Sequence, residues 1–330
     1  MSRWRRGALL ALIWIASCAP AACTSDEAPL QRAADVVLPE SDEQWETFPA
    51  GTTADGLAAA VLRGISTPQK GPDFTRFVVI RAADRHGSGY RADGFHVVVG
   101  AGVALPAGSL RIQKRWTMSG MVDGGNEQLQ TSGISLVIEP DAPRPFSAEV
   151  RAAVAAFCEA LSRRVPIHPD CIVAMQEAPY TRSHAADPDE RELAAVARAA
   201  VPVPPIDGYL TIRAGDRAIR VAIERRTKNG IQVGMMLRRK FDGTDRGMLF
   251  EYSHHATRNF WMKNCRIPID LAYLKAGKIR EIITMEPQWE APHANLRYYQ
   301  SNSAVRYALE MPAGWFAKNG VSVGSSVEFE

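Results

Sequence analysis

The chain lacks any hydrophobic run long enough to cross a bilayer. Its most apolar stretch near the start, residues 8–15, falls far short of the roughly 20 residues a spanning helix needs. It also lacks an excess of charge: 39 basic against 36 acidic residues leave +3 over 330 residues. That balance argues against a dedicated nucleic-acid binder, which would show a basic patch or stripe. Cysteine is sparse, with five in all, and there is no internal repeat or low-complexity tract. What remains is ordinary globular material, 46% hydrophobic and 23% charged, at a length that suits two domains.

Residues 1–23 read MSRWRRGALLALIWIASCAPAAC. A cationic start (Arg3, Arg5, Arg6), a short apolar run and then small residues make a secretory signal. The segment Ile-Ala-Ser-Cys ending at Cys18 resembles the lipobox of bacterial lipoproteins, in which the cysteine is acylated and begins the mature chain. Cys23, preceded by Pro-Ala-Ala, is the rival position; Cys18 fits better because an aliphatic residue stands three before it. The resemblance implies an exported protein, lipid-anchored to the cell membrane or outer membrane and facing the periplasm or cell wall. Four other cysteines remain, and Cys158 and Cys171 flank a helix-to-strand return where an oxidising compartment would permit a bridge.

The expected organisation is a signal at 1–17, a flexible tether at 18–45, an α/β domain at 46–178, a linker at 179–206 and a small β-rich, barrel-like α+β domain at 207–330. In the first domain FVVIRAA, GFHVVVG and GISLVIE are strand-length runs rich in Val and Ile, and residues 147–164 form a helix with Ser147 as N-cap. Residues 187–200 read as a short helix that VPVPP must end. The second domain is dense in short strands, with helices expected around 230–240 and 314–320.

From VVIRAAD through GFHVVVGAG, KRWTM, GISLVIE and the helix to VPIHPDCIVAMQE, residues 77–177 resemble the zinc-dependent N-acetylmuramoyl-L-alanine amidases and peptidoglycan-recognition proteins. The resemblance implies a mixed sheet covered by helices and a groove for peptidoglycan. It also exposes a loss. Arg81 and Met175 stand where the family has zinc-binding histidines, and neither suits zinc: a guanidinium has no lone pair to offer and a thioether is a soft ligand. His184 is the weak third candidate. The groove candidates are Arg81, Asp84, His96, Met175 and Glu177, with Arg81 either pairing a muropeptide carboxylate or forming an internal salt bridge.

GMMLRRKFDGTDRGMLFEY, NFWMKNCRIPIDLAYLKAGKI and YALEMPAGWFAKNGVSVG resemble the domain of unknown function 192 family over residues 218–330. That family implies a compact β-rich domain and no established activity. Lys263, Asn264, Asp270 and Glu310 are the polar residues that core packing does not explain; they either line a pocket or satisfy buried backbone. The expected function is thus a non-catalytic envelope lipoprotein with no cofactor, binding peptidoglycan fragments or a wall-associated partner. Two alternatives stand beside it: an active zinc amidase with displaced ligands, and a ligand-binding or structural protein working through its C-terminal domain.

Overall fold

In the computed structural model the described residues are 45–65, 77–82, 96–114, 133–179 and 187–330, and they belong to one compact unit, Val36–Glu330. Cys18, Asp84 and His184, like the signal and most of the tether, lie outside the described residues.

Before residue 202 the elements are β1 (Trp45–Phe48), α1 (Ala54–Ile65), β2 (Phe77–Ala82), β3 (Val97–Val99), β4 (Leu110–Gln113), β5 (Gly133–Ile138), α2 (Ala148–Ser162), β6 (Ile172–Ala174) and α3 (Pro188–Ala200). The strands form one sheet in the order β1-β4-β3-β5-β2-β6, parallel at β3–β5, β5–β2 and β2–β6. Every residue of β5 is buried, as a strand covered on both faces requires. Ser147 caps α2 by accepting from the Val150 amide at 3.4 Å. Asp187 caps α3 through the amides of Asp189 and Glu190, with Pro188 in the first turn where its missing N–H costs nothing. Glu139, just beyond β5, accepts from the amides of Ala101, Val103, Ala104 and Leu105 and so closes the loop that follows β3. Cys158 and Cys171 are both free and buried, and burial pushes each thiol up to about 12.

The remaining strands are β7 (Gly208–Ala214), β8 (Arg217–Arg226), β9 (Arg246–Ala256), β10 (Asn259–Trp261), β11 (Ile269–Lys275), β12 (Lys278–Met285), β13 (Tyr298–Gln300), β14 (Val305–Pro312) and β15 (Ser326–Phe329), with a short helix α4 (Trp315–Lys318). Seven of them close a barrel, β11-β12-β15-β7-β8-β9-β14, while β10 and β13 pair separately. Alternation along each strand divides the side chains. Leu210, Val221, Leu249, Ala272, Ile279, Leu309 and Val327, one from each barrel strand, meet in a lumen that Trp315 and Phe316 help fill. Met248, Phe250, Leu271, Tyr273 and Ala308 point the other way and are covered by Met235, Phe260, Met262, Cys265 and Tyr299.

This architecture corrects the expected fold class. The described residues are β-rich with few helices, and their one closed body is the seven-strand barrel, not an α/β amidase. The Val- and Ile-rich runs that carried the resemblance report only burial on both faces, a demand common to many sheets. Segments that carried the resemblance, including the start of GFHVVVG and most of KRWTM, lie outside the described residues. A second correction concerns 230–240, where a helix was expected. Only a 3-10 turn, Lys228–Gln232, forms, because Gly234 and Leu237 adopt positive φ of 46° and 65° and break any helical ladder.

Gly247 shows how closely the barrel is packed. A Cβ there would sit 2.4 Å from the Met311 sulfur and 2.8 Å from the Glu310 carbonyl oxygen. Gly247→Ala is therefore expected to destabilise by about 1–3 kcal/mol through overpacking, read as a drop of several degrees in the thermal midpoint. An unchanged midpoint would show that this strand contact is looser than the geometry implies.

Candidate functional site

Three segments of the barrel domain converge on one concavity of about 690 Å³. Residues 239–244 form one wall, Ile267 and Pro268 a second, and Pro312, Ala313, Gly314, Trp315 and Lys318 a third. Backbone hydrogen bonds and carboxylates hold these walls in place. Leu237, in its left-handed conformation, donates its amide to the Asn264 carbonyl at 2.9 Å, which fixes how the first wall leaves the barrel. Asp270 accepts from the Thr284 hydroxyl and from the Gly314 amide, both at 2.8 Å, and so pins the third wall to β11. Asp245 accepts from the Trp315 indole N–H at 2.9 Å. The Arg239 amide donates to Asp170 at 2.9 Å, tying the first wall to the sheet.

Behind the first wall lies a buried ionic chain. Glu224 accepts from Arg226 at 3.0 Å and from Arg238 and Arg246 at 3.1 Å. Arg238, 2% exposed, also donates to Asp242 at 3.0 Å, and the other Asp242 oxygen lies 3.0 Å from His168 Nε2. Burial opposes ionisation of Glu224, but the guanidiniums of Arg238, Arg226 and Arg246 outweigh it and hold the carboxyl below its ordinary range. Asp242 follows the same logic, with burial overcome by His168 and Arg238. Removing one partner from such a buried set costs about 3–5 kcal/mol, because a charge is left uncompensated.

The candidates from the barrel domain divide into two kinds. Asn264 and Asp270 are wall ties, though Asn264 Oδ1 is itself buried without a hydrogen-bond partner among the described residues. Lys263 is buried, with its ammonium 5.8 Å from the Trp261 ring centre. Glu310 stands beside Met248, which in turn stands beside Glu224, so the three occupy neighbouring strands on the covered face of the barrel. Its Oε2 has no hydrogen-bond partner among the described residues, and burial pushes its carboxyl up to about 8 against the pull of Arg226 and Arg238.

The groove candidates of the sheet are placed differently. His96 is buried, its Nδ1 accepting from the Ser135 amide at 3.0 Å. Met175 is core. Glu177 pairs with Arg198 at 3.0 Å and with Arg239 at 3.4 Å, a link to the first wall. Glu190 is a buried acid that the sequence reading missed; burial pushes it up to about 7, against the pull of the Ala82 amide, Arg144 and Arg81, which favour its charged form. Glu190 accepts from the Ala82 amide at 2.6 Å and from the Gln176 side chain. Neither Arg81 nor Met175 has the chemistry for zinc, and no group of three or more His, Cys, Asp or Glu side chains among the described residues is placed to hold a metal ion.

Residues 210–329 match the DUF192 family, described as "Uncharacterized ACR". The barrel resembles that family. A "putative transcription regulator" from Sinorhizobium meliloti is 28% identical, covering 37% of this chain and 92% of its own, at a TM-score of 0.33. A protein of unknown function from Novosphingobium aromaticivorans is 22% identical, covering 36% and 83%, also at 0.33. No curated protein matches the chain. The three walls fall in the stretches that carry the DUF192 resemblance: MLRRKFDGT, the Ile-Pro of NCRIPID, and MPAGWFAK.

Glu310 makes a pH prediction. Its carboxyl sits at about 8 in the folded chain against 4.5 ordinarily, so the folded state keeps a proton that the unfolded state releases. Stability should therefore fall as pH rises from about 4.5 towards about 8, by an amount on the order of a few kcal/mol, and level off above. Glu310→Gln should remove that fall and be the more stable protein at alkaline pH. Denaturant midpoints for both proteins across this range check it; parallel pH profiles would refute the assignment.

Proposed function

We propose that this is an exported, lipid-anchored envelope protein whose working part is the C-terminal barrel, and that the barrel's groove binds acidic peptidoglycan fragments. The observation that carries the reading is the charge of the groove. Lys240 and Lys318 line it together with Arg239, which is itself paired with Glu177 at 3.4 Å, whereas the carboxylate among its lining residues, Asp242, is already committed to Arg238 and His168. Lys240 and Lys318 make no ion pair among the described residues. Phe241, Ile267, Pro268 and Pro312 supply apolar surface between those cations. A ligand suited to such a surface carries carboxylates on a partly apolar body, and muropeptides, with their free stem-peptide carboxylates, have that chemistry. The membrane partner is the bilayer itself, through acylated Cys18.

The binding half is tested with the full chain in detergent, titrated with a disaccharide-tetrapeptide muropeptide and incubated with purified sacculi. The Lys240→Glu, Lys318→Glu double variant should weaken binding at least tenfold, or about 1.4 kcal/mol, and added salt should weaken the wild type. Failure of the wild type to bind either probe, or equal binding by the variant, would overturn the reading. The anchor is tested separately. Cys18→Ser should abolish incorporation of labelled fatty acid and release the chain from the membrane fraction, whereas persistent labelling would move the anchor elsewhere.

A further inference from the structure

The two-stranded ribbon of β10 and β13 stands outside the closed barrel, and its two faces differ in kind. Phe260 and Tyr299, the middle residues of the two strands, are opposite in register and buried in the apolar layer that covers the barrel. Alternation sends Asn259, Trp261, Tyr298 and Gln300 to the other face. Register pairs them by type: Trp261 stands opposite Tyr298, and Asn259 opposite Gln300. The two rings lie 6.1 Å apart between centroids and are tilted by 39°. Tyr298 is 49% exposed, and Asn259 and Gln300 are exposed beside it. Trp261 is half-buried and packs in part against the core of the sheet.

The ribbon is fixed from behind and at both ends. The Tyr273 hydroxyl donates to the Tyr299 carbonyl at 2.6 Å, and the Tyr299 hydroxyl accepts from the Glu286 amide at 3.0 Å. At one end the Ser301 amide donates to the Arg258 carbonyl and the Arg258 amide to the Ser301 hydroxyl, both at 2.9 Å. Ahead of β13 the Gln288 side chain accepts from the Arg297 amide at 3.0 Å. The Phe260 ring meets Phe250 edge-on at 4.9 Å beneath the face. A surface held in this way loses little freedom when a ligand docks on it.

The composition of the face selects its partner. None of the four outward side chains is charged, so an ionic ligand finds no counter-charge among them. A purely apolar partner would cover the rings but also strip water from two amides, which costs free energy when nothing replaces it. A sugar answers both halves. The CH groups on one side of its ring pack on an aromatic face, and the hydroxyls around its rim match amides that donate and accept. Residues two apart on a strand are separated by about 7 Å, so the aromatic pair and the amide pair fall within the span of linked sugar rings. We propose that this face of the ribbon is a binding site for an uncharged glycan chain, with a sugar ring packed on Trp261 and Tyr298 and its hydroxyls bonded to Asn259 and Gln300. The site shares no residue with the cationic groove and goes beyond it, because its contacts are uncharged.

The test uses the full chain with two uncharged probes, the β-1,4-linked tetramers of N-acetylglucosamine and of glucose, followed by calorimetry and by tryptophan fluorescence. At least one should bind the wild type saturably, shift the fluorescence and bind equally well in added salt. Tyr298→Ala should weaken binding about tenfold, whereas Tyr298→Phe, which keeps the ring, should bind nearly as the wild type does. Tyr298 faces outward, so its loss leaves the buried side of the ribbon intact, and an unchanged thermal midpoint checks this. The Asn259→Ala, Gln300→Ala double variant tests the polar half and should weaken binding several-fold. The Lys240→Glu, Lys318→Glu protein should bind these probes as the wild type does, so failure here and failure of the groove reading are told apart. Absence of saturable binding of both probes, binding that vanishes in salt, or full binding by Tyr298→Ala would overturn the proposal.

Discussion

A carboxylate sealed inside a protein must find cations, and Glu224 finds three, each from a different stretch of chain. Arg226 comes from the same strand, Arg246 from the start of the neighbouring parallel strand β9, and Arg238 from the turn that joins them. The set therefore closes the connection between β8 and β9. Burying it is not a gain in itself, since buried ion pairs roughly break even against a well-packed apolar core. What it contributes is direction. An apolar patch could shift in register or slide, whereas three guanidiniums fixed on one carboxylate admit one arrangement of the turn between residues 227 and 245.

That constraint reaches the groove through Arg238. By holding Asp242 as well as Glu224, it makes the first wall continuous with the barrel, and Asp242 carries the connection to His168 in the stretch leading into β6. The third wall is set by a separate means, with Asp270 and Asp245 receiving the Gly314 amide and the Trp315 indole. The polar residues that pack least like core thus act one step behind the cavity. They hold its walls in place, and the side chains lining the opening are mostly cationic or apolar, with Asp242 and Thr244 the exceptions.

Much of the barrel was legible because its strands obey a two-residue alternation with turn residues between them. The runs YLTIRA, AIRVAIERR, GMLFEY, IDLAYL, KIREIITM, RYALEM and SVEFE each mark one barrel strand, though β9 extends beyond its run to Ala256, and α4 lies within 314–320. β13 was missed, being three residues long and paired only with β10. The helix expected at 230–240 failed for a backbone reason: Met235 and Met236 are buried as a helix would bury them, but through tight turns at Gly234 and Leu237. Asn264, Asp270 and Glu310 could be singled out because no packing argument accounted for them. Glu224 could not. In the run AIRVAIERR it reads as the solvent side of an alternating strand, and nothing local says that the outer face of this barrel is itself covered. The motif arginine at 238 was the available signal, since an arginine inside an otherwise apolar GMMLR turn needs a buried acid to receive it.

The sheet bears on the barrel's groove through a few specific contacts. Asp170 holds the Arg239 amide, His168 holds Asp242, and Glu177 pairs with Arg239 while its carbonyl accepts from Arg266 at 3.1 Å. Met236 and Leu237, which belong to the barrel segment, pack into the sheet's own core, and the Cys171 thiol faces the Met236 carbonyl at 3.7 Å. A barrel deprived of these partners would keep its lumen, which draws on residues 210–327 alone. It would lose the support of the wall at 239–244, and Asp242 would turn from a committed carboxylate into a free one. A free acid in that position would cancel part of the groove's positive charge. On this physics the sheet serves the barrel whatever else it does: it keeps the groove's one carboxylate occupied, and so keeps the groove cationic.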